Sequence, residues 1–262
     1  MKILIVTQNA PVYIHLCLDK CLSLIKSTKH TVEGIVLLSP YAKKNAYLEF
    51  LNRFSLYGLL GFIGMSAYVV KEYFLSFLFT TLKLRDCHSI MNVIDKHRIN
   101  CLEFDSVNSE EFITYTKKNR IDLLVSIAAP ELFGKTLLES TRLGCINYHS
   151  ALLPKYRGRQ PLFWAMLNDD ENVGVSIIEM DETLDGGPIL AQIQVPVNGE
   201  NTLHNLYLRT LEKGARLLVS TIENISAGKG DRIENSSKYA TTYPFPKKED
   251  GTRFRNKGKK FI

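Results

Sequence analysis

No glycine-rich nucleotide loop follows the first apolar run of this 262-residue chain. Where a dinucleotide-binding fold carries GxGxxG, residues Thr7 to Tyr13 read TQNAPVY. A Walker A lysine loop, an HExxH pair and an EF-hand loop are also absent, which argues against NAD, ATP and a catalytic metal. The five cysteines, Cys17, Cys21, Cys87, Cys101 and Cys145, are odd in number and contain no CxxC pair. A disulfide framework is therefore not indicated, and a reduced, cytoplasmic setting fits. Cys17 and Cys21, four apart, read as one helix face packed into a core and not as metal ligands. The start, MKILIVTQN, has too short an apolar run and no small-residue cleavage pattern for a secretory signal.

What the chain does have is apolar content, 45% of its residues, enough to bury a sizeable core as one α/β domain with a small appendage. Its net charge of +6 is concentrated: the last sixteen residues, KKEDGTRFRNKGKKFI, carry +5. The body is nearly neutral, so no nucleic-acid partner is expected; the tail reads as solvated surface able to meet an anionic ligand. One stretch is unusual. Residues 54 to 70, FSLYGLLGFIGMSAYVV, contain no charge and three glycines, and YFLSFLFTTL follows after Lys71 and Glu72. This length is at the low end of what spans a bilayer. Buried or dimer-forming helices are the expectation, which makes a homodimer the expected assembly; a peripheral membrane contact over 54–82 is the alternative.

Periodicity sets the architecture. KILIVT, HTVEGIVLLS, CLEFDSV, IDLLVSIAA and GCINYH read as strands, and the segments between them carry apolar residues at helical spacing. Ser109 stands as N-cap before the acidic first turn of SEEFITYTKKN. Alternating strands and helices predict a Rossmann-like α/β fold, a mostly parallel sheet with helices on both faces. After residue 172 the pattern changes to two strands, VGVSIIEM and ILAQIQVPV, around the turn-rich DETLDGGP. A long helix then begins near Thr202 and a Pro-punctuated irregular tail ends the chain, which places the main domain at 1–200 and a helical and irregular extension at 201–262.

In a parallel sheet, ligands bind beyond the carboxyl ends of the strands. Asn147 and His149 fall at such an end two residues apart, so alternation points both to one face. Asp185 precedes two glycines that let the loop turn sharply. An amide donor, an imidazole and a carboxylate, with no placed hydroxyl or thiol nucleophile, suit acyl transfer in which the substrate amine attacks.

The run INYHSALLPKYRG followed by MDETLDGGPIL resembles the formyltransferase family that uses 10-formyltetrahydrofolate. That family includes glycinamide ribonucleotide, methionyl-tRNA and sugar N-formyltransferases. The resemblance spans about residues 120 to 195 and implies catalytic roles for Asn147, His149 and Asp185. It also implies a folate pocket walled by Ala129, Pro130, Leu132 and Phe133, together with Asp181, Glu182 and Leu184. The serine of the family pattern is displaced by one position here, so no hydroxyl role is assigned to Ser150.

The acceptor follows less directly, because chemistry is fixed by the site and not the fold. The residues beyond the second strand pair, mostly one helix and a tail, are short of the barrel-like tRNA-gripping domain that methionyl-tRNA enzymes carry. TQNAPVY lacks the glycines of a phosphate loop expected in glycinamide ribonucleotide enzymes. The resemblance therefore implies a sugar N-formyltransferase acting on an amino sugar, a small molecule expected to be nucleotide-linked. Gln8, Asn9, Arg157, Arg159, Tyr243 and Phe245 are the candidate acceptor contacts, the aromatics stacking a base and the arginines meeting a diphosphate. A non-catalytic, membrane-docking protein with a vestigial folate site is the alternative of another class.

Overall fold

A computed structural model describes residues 1–10, 12–38, 46–82, 84, 86–200 and 202–262, with side chains of 46–50 excepted. Strand β1 (Lys2–Gln8) leads to α1 (Ile14–Ile25) and β2 (Thr31–Leu38). A long helix α2 (Ala46–Thr81) is followed by α3 (Ile90–His97), β3 (Cys101–Leu102), α4 (Glu110–Lys118) and β4 (Leu123–Ile127). Next come α5 (Lys135–Leu138), β5 (Cys145–His149), β6 (Arg157–Gly158), α6 (Pro161–Leu167), β7 (Asn172–Glu179) and β8 (Ile189–Pro196). Helix α7 (Leu203–Ser226), strand β9 (Thr242–Tyr243) and α8 (Lys248–Asn256) complete the chain.

Among the described residues, seven strands form one sheet in the order β3-β2-β1-β4-β5-β7-β8. The first five run parallel, β7 pairs antiparallel with β5, and β8 pairs antiparallel with β7. Parallel strands require both faces covered, and the alternation along β1 shows how. Ile3 and Ile5 pack into a core with residues of α1, α3 and α7, whereas Leu4 and Val6 pack into a second core with Phe112 of α4 and Leu137 of α5. The expected Rossmann-like fold is thus present, with α7 contributing Ala215, Leu218 and Ile222 to the first core. Ser109 caps α4 by accepting the Phe112 N–H at 3.2 Å.

Two parts differ from the sequence expectation. The Pro-punctuated tail contains the helix α8, whose first turn is closed by Asp250 accepting the Lys247 N–H at 2.9 Å. The apolar segment is helical as expected, in two helices of α2 that meet where Gly58 takes φ 68° and ψ 175°, but it is little buried: of its most apolar stretch within 51–81 only 6% is buried. A third core holds α8 against α2 and α6, built from Leu56, Phe163, Trp164, Phe254 and Phe261. Phe163 stacks on Phe254 at 4.9 Å.

Candidate active site

Strand β5 delivers Asn147 opposite Ser126 of β4 and Ile178 of β7, and His149 opposite Ser176. Both side chains leave the same face and reach one oxygen. The Asn147 Nδ2 donates to Asp185 Oδ1 at 3.1 Å, and His149 Nδ1 lies 3.6 Å from that oxygen. The other carboxylate oxygen, Oδ2, accepts the Gly158 N–H at 2.8 Å. The His149 and Asp185 side chains are about nine-tenths buried, so each interaction acts in a medium less screening than water.

The imidazole's orientation assigns its tautomer. Its Nε2 is 2.9 Å from the Tyr156 carbonyl oxygen, which can only accept, so Nε2 carries hydrogen and Nδ1 is the nitrogen turned to Asp185. Tyr156 is itself held in place: its N–H donates to Thr241 Oγ1 at 2.9 Å and its phenol to Asp170 at 3.0 Å. Burial, opposed by a hydrogen bond from Asn168, pushes that phenol's pKa up to about 12. The loop between β5 and β6 is further fixed by Ser176 Oγ, which donates to Ala151 O at 2.7 Å and accepts from the Leu153 N–H.

Asp185 takes a left-handed φ of 49°, a conformation an aspartate adopts more readily than most residues. It is supported by a residue that sequence reasoning missed. Asn235, fifty positions away, donates through Nδ2 to the carbonyls of both Asp185 and Gly187 at 2.9 Å. No short-range pattern announces such a partner.

A cavity of about 1600 Å³ opens over these groups. Gln8 and Asn9 line it from the end of β1, and Ala129, Pro130 and Leu132 from the end of β4; Asp181, Leu184 and Asp185 line it from the β7–β8 loop. The site therefore sits where the strand order reverses between β1 and β4, the usual ligand position in such sheets. Arg159, Tyr243 and Phe245 also line it, with the Arg159 guanidinium 5.2 Å from the Phe245 ring centre. Three expected contacts stand elsewhere. Phe133 is fully buried in the core beneath the pocket, Glu182 is exposed outside the lining, and Arg157 donates through Nη2 to Asn235 at 2.9 and 3.0 Å.

Opposite the triad the wall is aromatic. Tyr13 and Tyr207 stack at 4.6 Å, and the Tyr207 hydroxyl donates to Gln160 Oε1 at 3.0 Å. Burial raises both phenol pKa values well above the usual tyrosine range, so they serve as neutral hydrogen-bonding groups. Helix α2 closes the same side with Tyr57, Phe62, Met65 and Val69, residues that no motif or periodicity placed near the site.

Known proteins resemble this chain in sequence and in fold. Methionyl-tRNA formyltransferase of Thermotoga maritima is 33% identical over 158 residues, 60% of this chain and 50% of its own length. That of Methylacidiphilum infernorum is 37% identical over 154 residues, 59% and 48% of the two chains. The chain spans about half the length of the curated relatives it matches. Among solved structures, a sugar N-formyltransferase from Shewanella sp FDAARGOS_354 superposes with a TM-score of 0.56 at 20% identity, covering 94% of this chain and 77% of that one. The N-formyltransferase of Helicobacter canadensis, solved in complex with folinic acid and dTDP-3-aminofucose, gives a TM-score of 0.60 at 15% identity, with 94% and 71% covered. These structural likenesses show the shared fold. The Formyl transferase family model matches residues 81–222, more than half of the sequence, and the chain belongs to that family.

Proposed function

We propose that this protein transfers a formyl group from 10-formyltetrahydrofolate to the amine of an amino sugar. The observation that carries the proposal is the convergence of Asn147 and His149 on a single carboxylate oxygen of Asp185, at the floor of a roomy cavity. A folate fits the walls: Ala129, Pro130 and Leu132 supply an apolar slot for a flat ring beside the triad, and the segment from Asp181 to Leu184 borders it. When bound, that donor supplies an activated formyl carbon.

The chain's own groups then have separate tasks. One Asn147 amide hydrogen is held by Asp185, which leaves the second to stabilise negative charge on the formyl oxygen. His149 offers Nδ1 as the site for the proton that the amine loses, and Asp185 stands beside the imidazolium so formed. The stacked Tyr13 and Tyr207 present the apolar surface against which a sugar ring packs, with Gln160 at its edge.

The test is an assay with 10-formyltetrahydrofolate and a panel of amino sugars, free and nucleotide-linked, read as the mass of one added formyl group. Product formed by the wild type and lost in Asn147→Ala supports reaction and site together. A second reading, an aminoacyl-tRNA acceptor, is favoured by 33–37% identity to methionyl-tRNA formyltransferases. Formylation of methionyl-tRNA in the same assay, with no sugar product, would decide for it.

A further inference from the structure

We infer that the acceptor amine is carried on a membrane lipid, and that α2 lies in the surface of an anionic bilayer to receive it. The inference rests on the formyl-transfer reading above and specifies its substrate. Its first support is the outer face of α2. Leu60, Ile63, Ala67, Val70, Phe74 and Phe77 recur at three- and four-residue intervals and form one exposed stripe, with Leu60 83% and Phe77 70% accessible. Lys71 is exposed beside it, while Glu72 is turned inward, its carboxylate 2.9 Å from His88 Nδ1. A stripe of this size on a globular protein marks a docking surface.

The second support is the inner face of the same helix. Phe62, Met65 and Val69 wall the cavity that holds the triad, and Val70 belongs to both the cavity lining and the exposed stripe, so the cavity reaches the surface at the stripe. Its volume of about 1600 Å³ exceeds the ~300–1000 Å³ of ordinary small-ligand sites. A seam for a second copy of this chain would account for the outer stripe alone. A lipid phase outside and an aliphatic chain inside account for both faces.

Charge supplies the third support. Helix α8 packs along α2: Arg255 bonds the Leu56 carbonyl at the Gly58 kink, and Ile262 rests on Gly64. The exposed Lys247, Lys248, Arg253 and Lys260 thus lie on the segment that borders the apolar helix, the combination that binds anionic lipid. Although the helix is long and apolar enough to cross a membrane, it is fastened along its length to the body: Ser76 to Ser89 and Thr80 to Asn92, each at 2.8 Å. It therefore lies on the bilayer and does not span it. The reaction is unchanged: the amine nitrogen bonds the formyl carbon and gives up one proton, and the donor nitrogen released from that carbon regains one.

The experiment has two arms. In the first, the protein is sedimented with vesicles of phosphatidylcholine and phosphatidylglycerol in equal parts. The wild type is expected in the pellet, and Phe74→Asp, Phe77→Asp and Leu60→Asp in the supernatant, with unchanged circular dichroism. In the second, a panel of amino sugars is offered as methyl and as dodecyl glycosides, the latter in the same vesicles. The dodecyl form is expected to react at least tenfold faster in kcat/KM, and the Asp variants to lose that advantage while formylating the methyl form at the wild-type rate. Equal rates for the two forms, or a wild type that stays in the supernatant, would overturn the inference. So would a soluble dimer that the Asp variants split, since the stripe would then belong to a second copy. If neither form of any sugar is formylated, the proposed reaction fails, and the lipid acceptor with it.

Discussion

The two sides of the cavity are held by different means. At the triad, each functional atom is fixed by a partner distant in sequence: Asp185 is bonded through both carboxylate oxygens and its own carbonyl, to Asn147, Gly158 and Asn235. On the opposite side, α2 is fastened at a few polar points, packs Leu56 into the third core and turns a stripe of apolar side chains to the surface. A preorganised polar network is costly to leave half-satisfied, so the first side admits little variation. An uncovered apolar helix is defined by what it meets, and the second side therefore encodes specificity. Substitutions on the two sides should separate accordingly.

The largest effect belongs to the triad. Asn147→Ala should lower kcat by about 10²–10³, the cost of one oxyanion donor. Asp185→Ala should lower it at least as much, because Asn147 and His149 both lose their common partner. Donor binding, measured by fluorescence quenching with folinic acid, should change little in either. A parallel loss of folinic acid affinity would make these residues binding determinants and erase the contrast.

Next is Asn235→Ala. It leaves two carbonyls and Arg157 short of a partner, which should cost ~1–3 kcal/mol in unfolding free energy. Activity should fall further than stability explains, since Asp185 is the residue released. A variant with wild-type kcat/KM would show that the β7–β8 loop holds itself.

The same contrast explains what was legible in the sequence. Strands β1, β2, β4 and β5 are short apolar runs bounded by turn residues, and Asn147, His149 and Asp185 are readable because the chemistry demands those residue types at a strand end and a tight loop. Asn235 is not readable: its hydrogen bonds close over fifty residues of chain. Helix α6 is apolar all round because it is wholly inside the third core, so it shows no helical period. Helix α8 turns only Gly251 and Phe254 inward, too few to mark a face. Composition alone left α2 between buried and surface-lying, and only the three-dimensional packing shows which of its faces is uncovered.

Gly251→Ala should act on the α2 side alone. A Cβ at that position would collide with the Leu56 backbone oxygen, which a helix backbone cannot yield as a flexible side chain would. Overpacking of this kind costs ~1–3 kcal/mol, and the expected outcome is earlier proteolysis near α8 with triad chemistry on soluble acceptors intact.

The smallest effect is a pH dependence of how α2 is anchored. His15 on α1 is fully buried, neither ring nitrogen has a hydrogen-bond partner among the described residues, and its Nε2 lies 3.6 Å from Glu72 Oε2 on α2, the same oxygen that His88 Nδ1 meets at 2.9 Å. Burial lowers the His15 pKa, and the nearby Glu72 charge opposes the shift without cancelling it. The unfolded chain, with its histidine near the usual ~6.5, then binds more protons than the folded one, so this contribution to stability is complete above that pH and declines as pH falls through it. His15→Leu, which replaces the unsatisfied ring by an apolar side chain, should flatten that part of the profile. The urea midpoint of the wild type should fall more than the variant's between about pH 7.5 and 5.5. Parallel curves would mean that Glu72 compensates the buried ring fully, and that α2 is held to the body with no dependence on proton binding at His15.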